Sequence, residues 1–399
     1  MSKIVFFCIP AHGHTNPTLP VVRELVDRGH QVKYYSYEMF REKIESAGAE
    51  FVACDKYDSE QKLNPEDALR VGKDIGFSTG LLVDTTLALD KYVCRDMEEW
   101  QPDCIVADSM AVWGKAVARK LQIPFMSSTT TFAFNKYSAK IMKQSFSQLW
   151  NLIVSMPGVN KDIRRLQEKG YPVNNILDII QNDDTTNTIV YTSKEFQPCA
   201  DTFPKIYHFV GPSIATSALQ KAEIADEDVR MTKKTIYISL GTVVNRMIPF
   251  YKNCIKAFKD TDYRVIMSVG KLTELKELGE IPANFRVEQF VNQLEVLSQA
   301  DVFLSHCGMN SVNESLYFEV PLVLFPQTAE QGGVARRVSE LGAGVYLKRN
   351  CPKEIKAAVE KVLTDVSYKG SAAKISKSFQ NSGGPKEAAD AILALCKSV

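Results

Sequence analysis

Residues 300–331 read ADVFLSHCGMNSVNESLYFEVPLVLFPQTAEQ. Val302-Phe303-Leu304 is a short apolar run, the pattern of a buried strand, and it ends at Ser305-His306. Cys307-Gly308-Met309-Asn310-Ser311 follows as a turn, and helical periodicity sets in from Val312. Asn310 or Ser311 is placed to cap that helix, and Glu314, three residues past Ser311, completes a predicted capping box. A glycine-containing polar turn that opens a helix after a buried strand suits a phosphate. The helix start carries about half a positive charge and several unpaired N–H groups. His306 and the Ser311 hydroxyl add donors, and no lysine stands in the turn, so the backbone supplies most of the binding.

The same grammar of strand, polar turn and helix recurs along the chain. Residues 3–10 (KIVFFCIP) are nearly all apolar, as in a central parallel strand covered on both faces. A loop at 11–17 leads to a helix with Pro17 predicted in its first turn and Gly29 at its end, and residues 31–36 form the next strand. Residues 103–108 (DCIVAD) are another buried strand ending in Asp108, on the rim that carries His14. A helix at 111–121, a strand at 124–128 and strands at 188–192 and 206–210 complete a first domain over 1–212. Residues 129–177 are less regular and hold Phe132, Phe134, Tyr137, Phe146 and Trp150, as an insertion lining an apolar cleft would. Polar, charged residues 213–233 read as an interdomain linker. Strands at 235–240, 263–269 and 286–290 alternate with helices at 249–259 and 294–299 and open a second domain over 234–384, with three helices finishing the chain. The fold class is therefore α/β, with two Rossmann-like doubly wound domains.

The totals exclude several classes. A chain of 399 residues exceeds what one core usually supports. Its formal charge of +1 gives no field that would draw nucleic acid or acidic membranes. No apolar run is long enough to cross a bilayer. The nine cysteines include no Cys-x-x-Cys pair, so neither a zinc site nor a disulfide framework is indicated, and a reducing cytoplasm is the simplest home. Gly-x-Gly-x-x-Gly is missing after the first strand, where only Gly13 stands, which weighs against a dinucleotide enzyme. The acidic strings Asp260-Thr261-Asp262 and Asp226-Glu227-Asp228 fall in a turn and in the linker and read as solvated loops, so no essential metal is expected.

The string His306-x-Gly308-x-Asn310-Ser311-x-x-Glu314, followed by Pro321, Pro326 and Glu330-Gln331, resembles the donor-binding signature of UDP-sugar glycosyltransferases of the two-Rossmann-domain (GT-B) type. It is most similar to the bacterial macrolide glycosyltransferase group, with plant secondary-product enzymes more distant. The similarity runs along nearly all of the chain. It implies two domains facing across a cleft, and a last helix (385–399) that crosses back onto the first. It further implies a His–Asp dyad at His14 and Asp108, His14 being the base and Asp108 the group that orients its ring. His12, before the glycine, is the less suitable candidate, and His30 and His208 read as surface and structural residues. The resemblance places Phe290 against uracil, Val291 at the base edge, and Gln293 and Glu314 at the ribose. Thr242, His306, Gly308, Asn310 and Ser311 would surround the diphosphate, and Glu330 and Gln331 would bind the sugar. Three departures stand out: Asn292 where the family usually has proline, Glu330 in place of aspartate, and the flexible pair Gly332-Gly333.

The expected activity is inverting transfer of a hexose, glucose first among candidates, from a UDP-sugar to a hydroxyl of a small apolar acceptor such as a macrolide, flavonoid or other phenol. The UDP-sugar is a co-substrate rather than a cofactor. The alternatives are a non-catalytic nucleotide-sugar-binding partner of another transferase and a nucleotide-dependent oxidoreductase.

Overall fold

The computed structural model describes residues 1–55, 74–138, 146–175, 178, 182, 184–214, 233–242 and 245–397. The chain divides into two compact units. One comprises Met1–Tyr191, Cys199–Ser213 and Gly383–Val399, and the other Thr192–Pro198 and Ile214–Ser382.

In the first unit the strands are β1 (Lys3–Phe7), β2 (Gln31–Ser36), β3 (Glu50–Ala53), β4 (Cys104–Asp108), β5 (Phe125–Thr129), β6 (Asn187–Val190) and β7 (Tyr207–Phe209). They pair in parallel in the order β3-β2-β1-β4-β5-β6-β7, reversing direction of growth between β1 and β4. That reversal is the switch point at which open α/β sheets bind ligands. Helices α1 (His12–Asp27), α2 (Arg41–Ser46), α3 (Ile75–Trp100), α4 (Val112–Leu121) and α5 (Phe146–Glu168) connect them. Alternate strand residues feed two cores. Ile4, Phe6, Cys104 and Val106 pack with α1, whereas Val5, Phe7, Ile105 and Ala107 pack with α3, α4 and α5.

Gly29 ends α1 as the repeat structure demands. Its φ is +83°, its N–H reaches the Val26 carbonyl, and His30 N–H reaches the Leu25 carbonyl. The start of α1 differs from expectation. It begins at His12, five residues before Pro17, so Pro17 and Pro20 lie inside the helix, where their fixed φ is already helical. The last helix, α12 (Gly384–Cys396), follows Gly383 and Gly384, both with positive φ, and buries Ala388, Ala389 and Ile392 in the core that α1 covers. Arg28 on α1 pairs with Asp390 on α12 at 2.5 Å.

In the second unit β8 (Thr235–Ser239), β9 (Arg264–Ser268), β10 (Phe285–Glu288), β11 (Val302–Ser305), β12 (Leu322–Leu324) and β13 (Gly344–Tyr346) form a parallel sheet in the order β10-β9-β8-β11-β12-β13. Its helices are α6 (Ile248–Phe258), α7 (Gln293–Leu297), α8 (Met309–Tyr317), α9 (Ala329–Glu340), α10 (Pro352–Thr364) and α11 (Val366–Gln380). Thr192–Pro198, which the sequence reading assigns to the first domain, groups with this unit. Arg337 of α9 donates to the carbonyls of Glu195 and Phe196 at 2.8 and 3.0 Å, and the Phe196 ring meets Phe379 edge-on at 5.6 Å. Residues 215–232 of the predicted linker, including Asp226-Glu227-Asp228, lie outside the described residues. Asp260 and Asp262 are exposed in the turn after α6. Among the described residues no helix is long and apolar enough to cross a membrane. Cys8, Cys104 and Cys307 are buried thiols.

Candidate active site

In the first unit the site is built where β1 and β4 lie side by side. β4 is buried throughout and delivers Asp108 as its last residue, 3% exposed. α1 follows β1 after four residues and places His14 in its first turn. His14 Nδ1 lies 2.8 Å from Asp108 Oδ2, and the Met110 N–H donates to the other carboxylate oxygen at 2.9 Å. Thr130, one residue past β5, sets its hydroxyl 3.2 Å from the same ring nitrogen. In the tautomer that carries its proton on Nδ1, the ring donates to the carboxylate and turns Nε2 into an acceptor. The His14 side chain is 23% exposed, enough to reach a ligand, while Asp108 is sealed beneath it.

The other histidines are engaged elsewhere. His12 packs its ring edge-on against Phe40 at 4.9 Å, and His30 Nδ1 accepts from the Ser2 N–H at 3.0 Å. His208 is held in β7, where burial lowers its pKa. Of the aromatics in the predicted insertion at 129–177, Phe132 is buried, and Phe134 and Tyr137 are exposed at 43% and 46%. The side chains of Phe146 and Trp150 lie outside the described residues.

In the second unit the predicted turn takes a different local form. Cys307 adopts φ +68°, and its N–H is satisfied by the Ser305 hydroxyl at 3.0 Å. That left-handed step turns the chain early enough for Gly308 to become the N-cap and for α8 to start at Met309, with no side-chain cap. Asn310 and Ser311 therefore stand inside the first turn, and the capping box between Ser311 and Glu314 does not form. Glu314 instead receives Gln293 Nε2 at 2.6 Å, and the same nitrogen reaches the Ser311 hydroxyl at 3.2 Å. Gln293 Oε1 accepts from the Tyr237 phenol at 3.1 Å. Glu314 keeps some surface, yet its carboxyl sits low among these groups. Burial pushes it up to about 7 against the opposing pull of the Gln293 amide.

His306 is wedged between two glycines. A Cβ on Gly241 would come within 2.6 Å of its ring, and one on Gly308 within 2.5 Å of Nε2. Its Nδ1 is buried without a hydrogen-bond partner among the described residues. Burial lowers its pKa to about 4, with the Ser239 carbonyl opposing. The ring is thus neutral at pH 7 and brings an N–H rather than a charge.

Thr242 is exposed just beyond β8, Phe290 is 46% exposed two residues beyond β10, and Val291 beside it is half-buried. Lys271 Nζ stands 5.5 Å from the Phe290 ring centroid. Glu330 and Gln331 open α9 after β12. Gln331 is the N3 partner of Thr328 in a capping box, with Oε1 accepting from the N–H groups of Gln327 and Thr328 at 2.7 and 3.2 Å. Its carbonyl oxygen is thus committed to the helix start. All these residues follow the carboxyl ends of parallel strands, where such sheets bind ligands. Reasoning from sequence missed Thr130 and Tyr237. The signal for Tyr237 is its place in the alternation of β8, out of phase with the core residues Ile236 and Ile238.

Residues 252–395 match the family model of the erythromycin biosynthesis protein CIII-like C-terminal domain. The whole chain is 36% identical over 401 residues to the NDP-glycosyltransferase YjiC of Bacillus subtilis (strain 168), covering 98% of this chain and 96% of that protein. It is 32% identical over 420 residues to the uncharacterized UDP-glucosyltransferase YojK of the same organism, covering 100% and 98%. Among solved structures, the calicheamicin glycosyltransferase CalG4 matches with a TM-score of 0.81 at 27% identity, covering 100% of this chain and 99% of that one. These likenesses span both α/β units and set aside the oxidoreductase and the non-catalytic partner: the chain belongs to the GT-B glycosyltransferases of the macrolide group, enzymes that use nucleotide-sugar donors.

Proposed function

We propose that this enzyme is an inverting hexosyltransferase that moves glucose from UDP-glucose to a hydroxyl of a small apolar acceptor, a macrolide, flavonoid or other phenol. The observation that carries the proposal is the 2.8 Å bond between His14 Nδ1 and the buried Asp108 carboxylate. In this reading the acceptor oxygen attacks the anomeric carbon and its proton passes to His14 Nε2. The bond from that carbon to the β-phosphate oxygen breaks, and UDP leaves. Asp108 fixes the tautomer and stabilises the imidazolium that forms, the role an aspartate plays beneath a catalytic histidine in hydrolases. An imidazole titrating near pH 6.5 is a suitable base at neutral pH.

On the donor side, Phe290 and Val291 take the uracil, and Gln293 and Glu314 the ribose. Thr242, His306, Gly308, Asn310 and Ser311 take the diphosphate, with the start of α8 supplying N–H groups and a positive dipole end. Glu330 and Gln331 take the hexose hydroxyls, Gln331 through its amide nitrogen. No step uses a metal. The name of YojK supports UDP-glucose as donor, and that of CalG4 supports a natural-product acceptor.

Purified enzyme incubated with UDP- and TDP-sugars and a mixed aglycone panel, with products read by mass spectrometry, tests the proposal. A glucoside formed from UDP-glucose and absent with His14→Ala is the expected result. Equal product from His14→Ala, or product from TDP-sugars only, would overturn it.

A further inference from the structure

Tyr237 lies at the centre of β8 and is 1% exposed. Its neighbours Ile236 and Ile238 enter the apolar core on one face of the sheet. Tyr237 points to the other face, its ring stacked on Phe303 of β11 at 4.5 Å and 22°. A buried phenol needs a polar partner, and this one finds Gln293 Oε1 at 3.1 Å. Gln293 is the first residue of α7. Its amide has two orientations of nearly identical shape, which differ only in where oxygen and nitrogen lie. The Tyr237 hydroxyl, donating to Oε1, selects the orientation in which Nε2 faces α8. There the two amide hydrogens reach Glu314 Oε2 at 2.6 Å and Ser311 Oγ at 3.2 Å. The opposite orientation would bring the amide oxygen against the Glu314 carboxylate, two acceptors in contact. Burial raises the Tyr237 pKa, so the phenol keeps the proton it donates.

With both hydrogens engaged, the Gln293 amide acts on the carboxylate itself. It holds the Glu314 carboxylate by Oε2. We propose that Tyr237 is a positioning residue for the nucleotide: through Gln293 it sets the Glu314 carboxylate for the hydroxyls of a ribose. The inference rests on the donor reading above, in which Glu314 meets the ribose. It adds a residue that touches no substrate and acts only through Gln293 and Glu314.

Tyr237→Phe in the full-length enzyme removes the hydroxyl and keeps the ring on Phe303. UDP binding measured by calorimetry is expected to weaken about fivefold to tenfold, the size of one lost hydrogen bond. KM for the UDP-sugar should rise by the same factor, while kcat and KM for the acceptor stay at wild-type values, a split that general loosening of the sheet would not produce. Glu314→Ala weakens UDP binding further, and adding Tyr237→Phe to it should cost nothing more, because the positioned group is gone. Wild-type UDP affinity in Tyr237→Phe beside weakened binding in Glu314→Ala would overturn the relay alone, as would simple additivity in the double variant. Wild-type affinity in Glu314→Ala would overturn the ribose reading itself, and the relay with it.

Discussion

The two units use one scaffold and put a histidine on the rim of each sheet, but they treat the two rings oppositely. His14 is part-exposed, with Nδ1 2.8 Å from the buried Asp108 carboxylate. His306 is half-buried, wedged between Gly241 and Gly308, shows no ion pair with a carboxylate among the described residues, and is driven neutral, its pKa falling to about 4. In the mechanism proposed above, position at the carboxyl end of a strand is not enough to make a histidine a base; the carboxylate beneath the ring is what sets His14 apart from His306.

The largest effect expected from that contrast is at His14. His14→Ala should lower kcat by about 10⁴, the upper end of what a positioned base contributes, and leave UDP affinity unchanged, since the donor is assigned to the other unit. Asp108→Ala should cost less, on the order of 10², because the base survives without its orienting partner. Rapid-quench turnover beside a UDP titration measures both. If Asp108→Ala loses donor affinity and keeps kcat, the carboxylate serves the fold and not the base.

The near-continuous apolar runs of β1, β4, β8 and β11 were legible because a strand covered on both faces needs no alternation. With them came the carboxyl-end rims and the residues that stand on them. What was not legible depends on contacts far apart in sequence or on rare backbone angles. The start of α1 was misplaced because Pro17 resembles a first-turn marker, whereas its buried ring sits in the second turn. α3, 26 residues long, shows no clean stripe, since Thr79, Thr85 and Thr86 are buried beside apolar neighbours and Gly76 and Gly80 interrupt the pattern. The Ser311–Glu314 box failed because Cys307 takes a left-handed angle that no local rule assigns to cysteine. Thr130 joins His14 across 116 residues and Tyr237 joins Gln293 across 56, distances over which periodicity carries no information.

A smaller effect tests the other histidine. Gly308 has φ −61°, which alanine adopts freely, so Gly308→Ala strains no backbone. Its Cβ, however, would stand 2.5 Å from His306 Nε2, and the ring must move. Overpacking of this kind costs about 1–3 kcal/mol, so UDP affinity should fall about tenfold while kcat at saturating donor holds. His306→Ala combined with Gly308→Ala should cost no more UDP affinity than His306→Ala alone, because the clash has gone with the ring. A further loss in the double variant would place the effect of Gly308 on the backbone and not on His306.

The smallest expected effect is on stability against pH, where the rim of the second unit carries two opposed titrations. The Glu314 carboxyl is raised to about 7 in the folded chain, against about 4.3 when unfolded. Between those values the folded state holds the extra proton, so this group makes stability fall as pH rises through the window, and it stays low above it. His306 is lowered to about 4, against about 6.5 unfolded. There the unfolded state holds the extra proton, so stability is full above pH 6.5 and is lost as pH falls towards 4. The two slopes oppose each other between about pH 4.5 and 6.5 and leave the wild-type enzyme nearly flat there. Single variants should separate them. Glu314→Gln is expected to melt a few degrees above wild type at pH 8 and level with it at pH 4, whereas His306→Gln should gain only on the acid side. Calorimetric scans from pH 4 to 8 read both, and a Glu314→Gln gain that is the same at every pH would mean that this carboxyl titrates alike in the folded and unfolded chain.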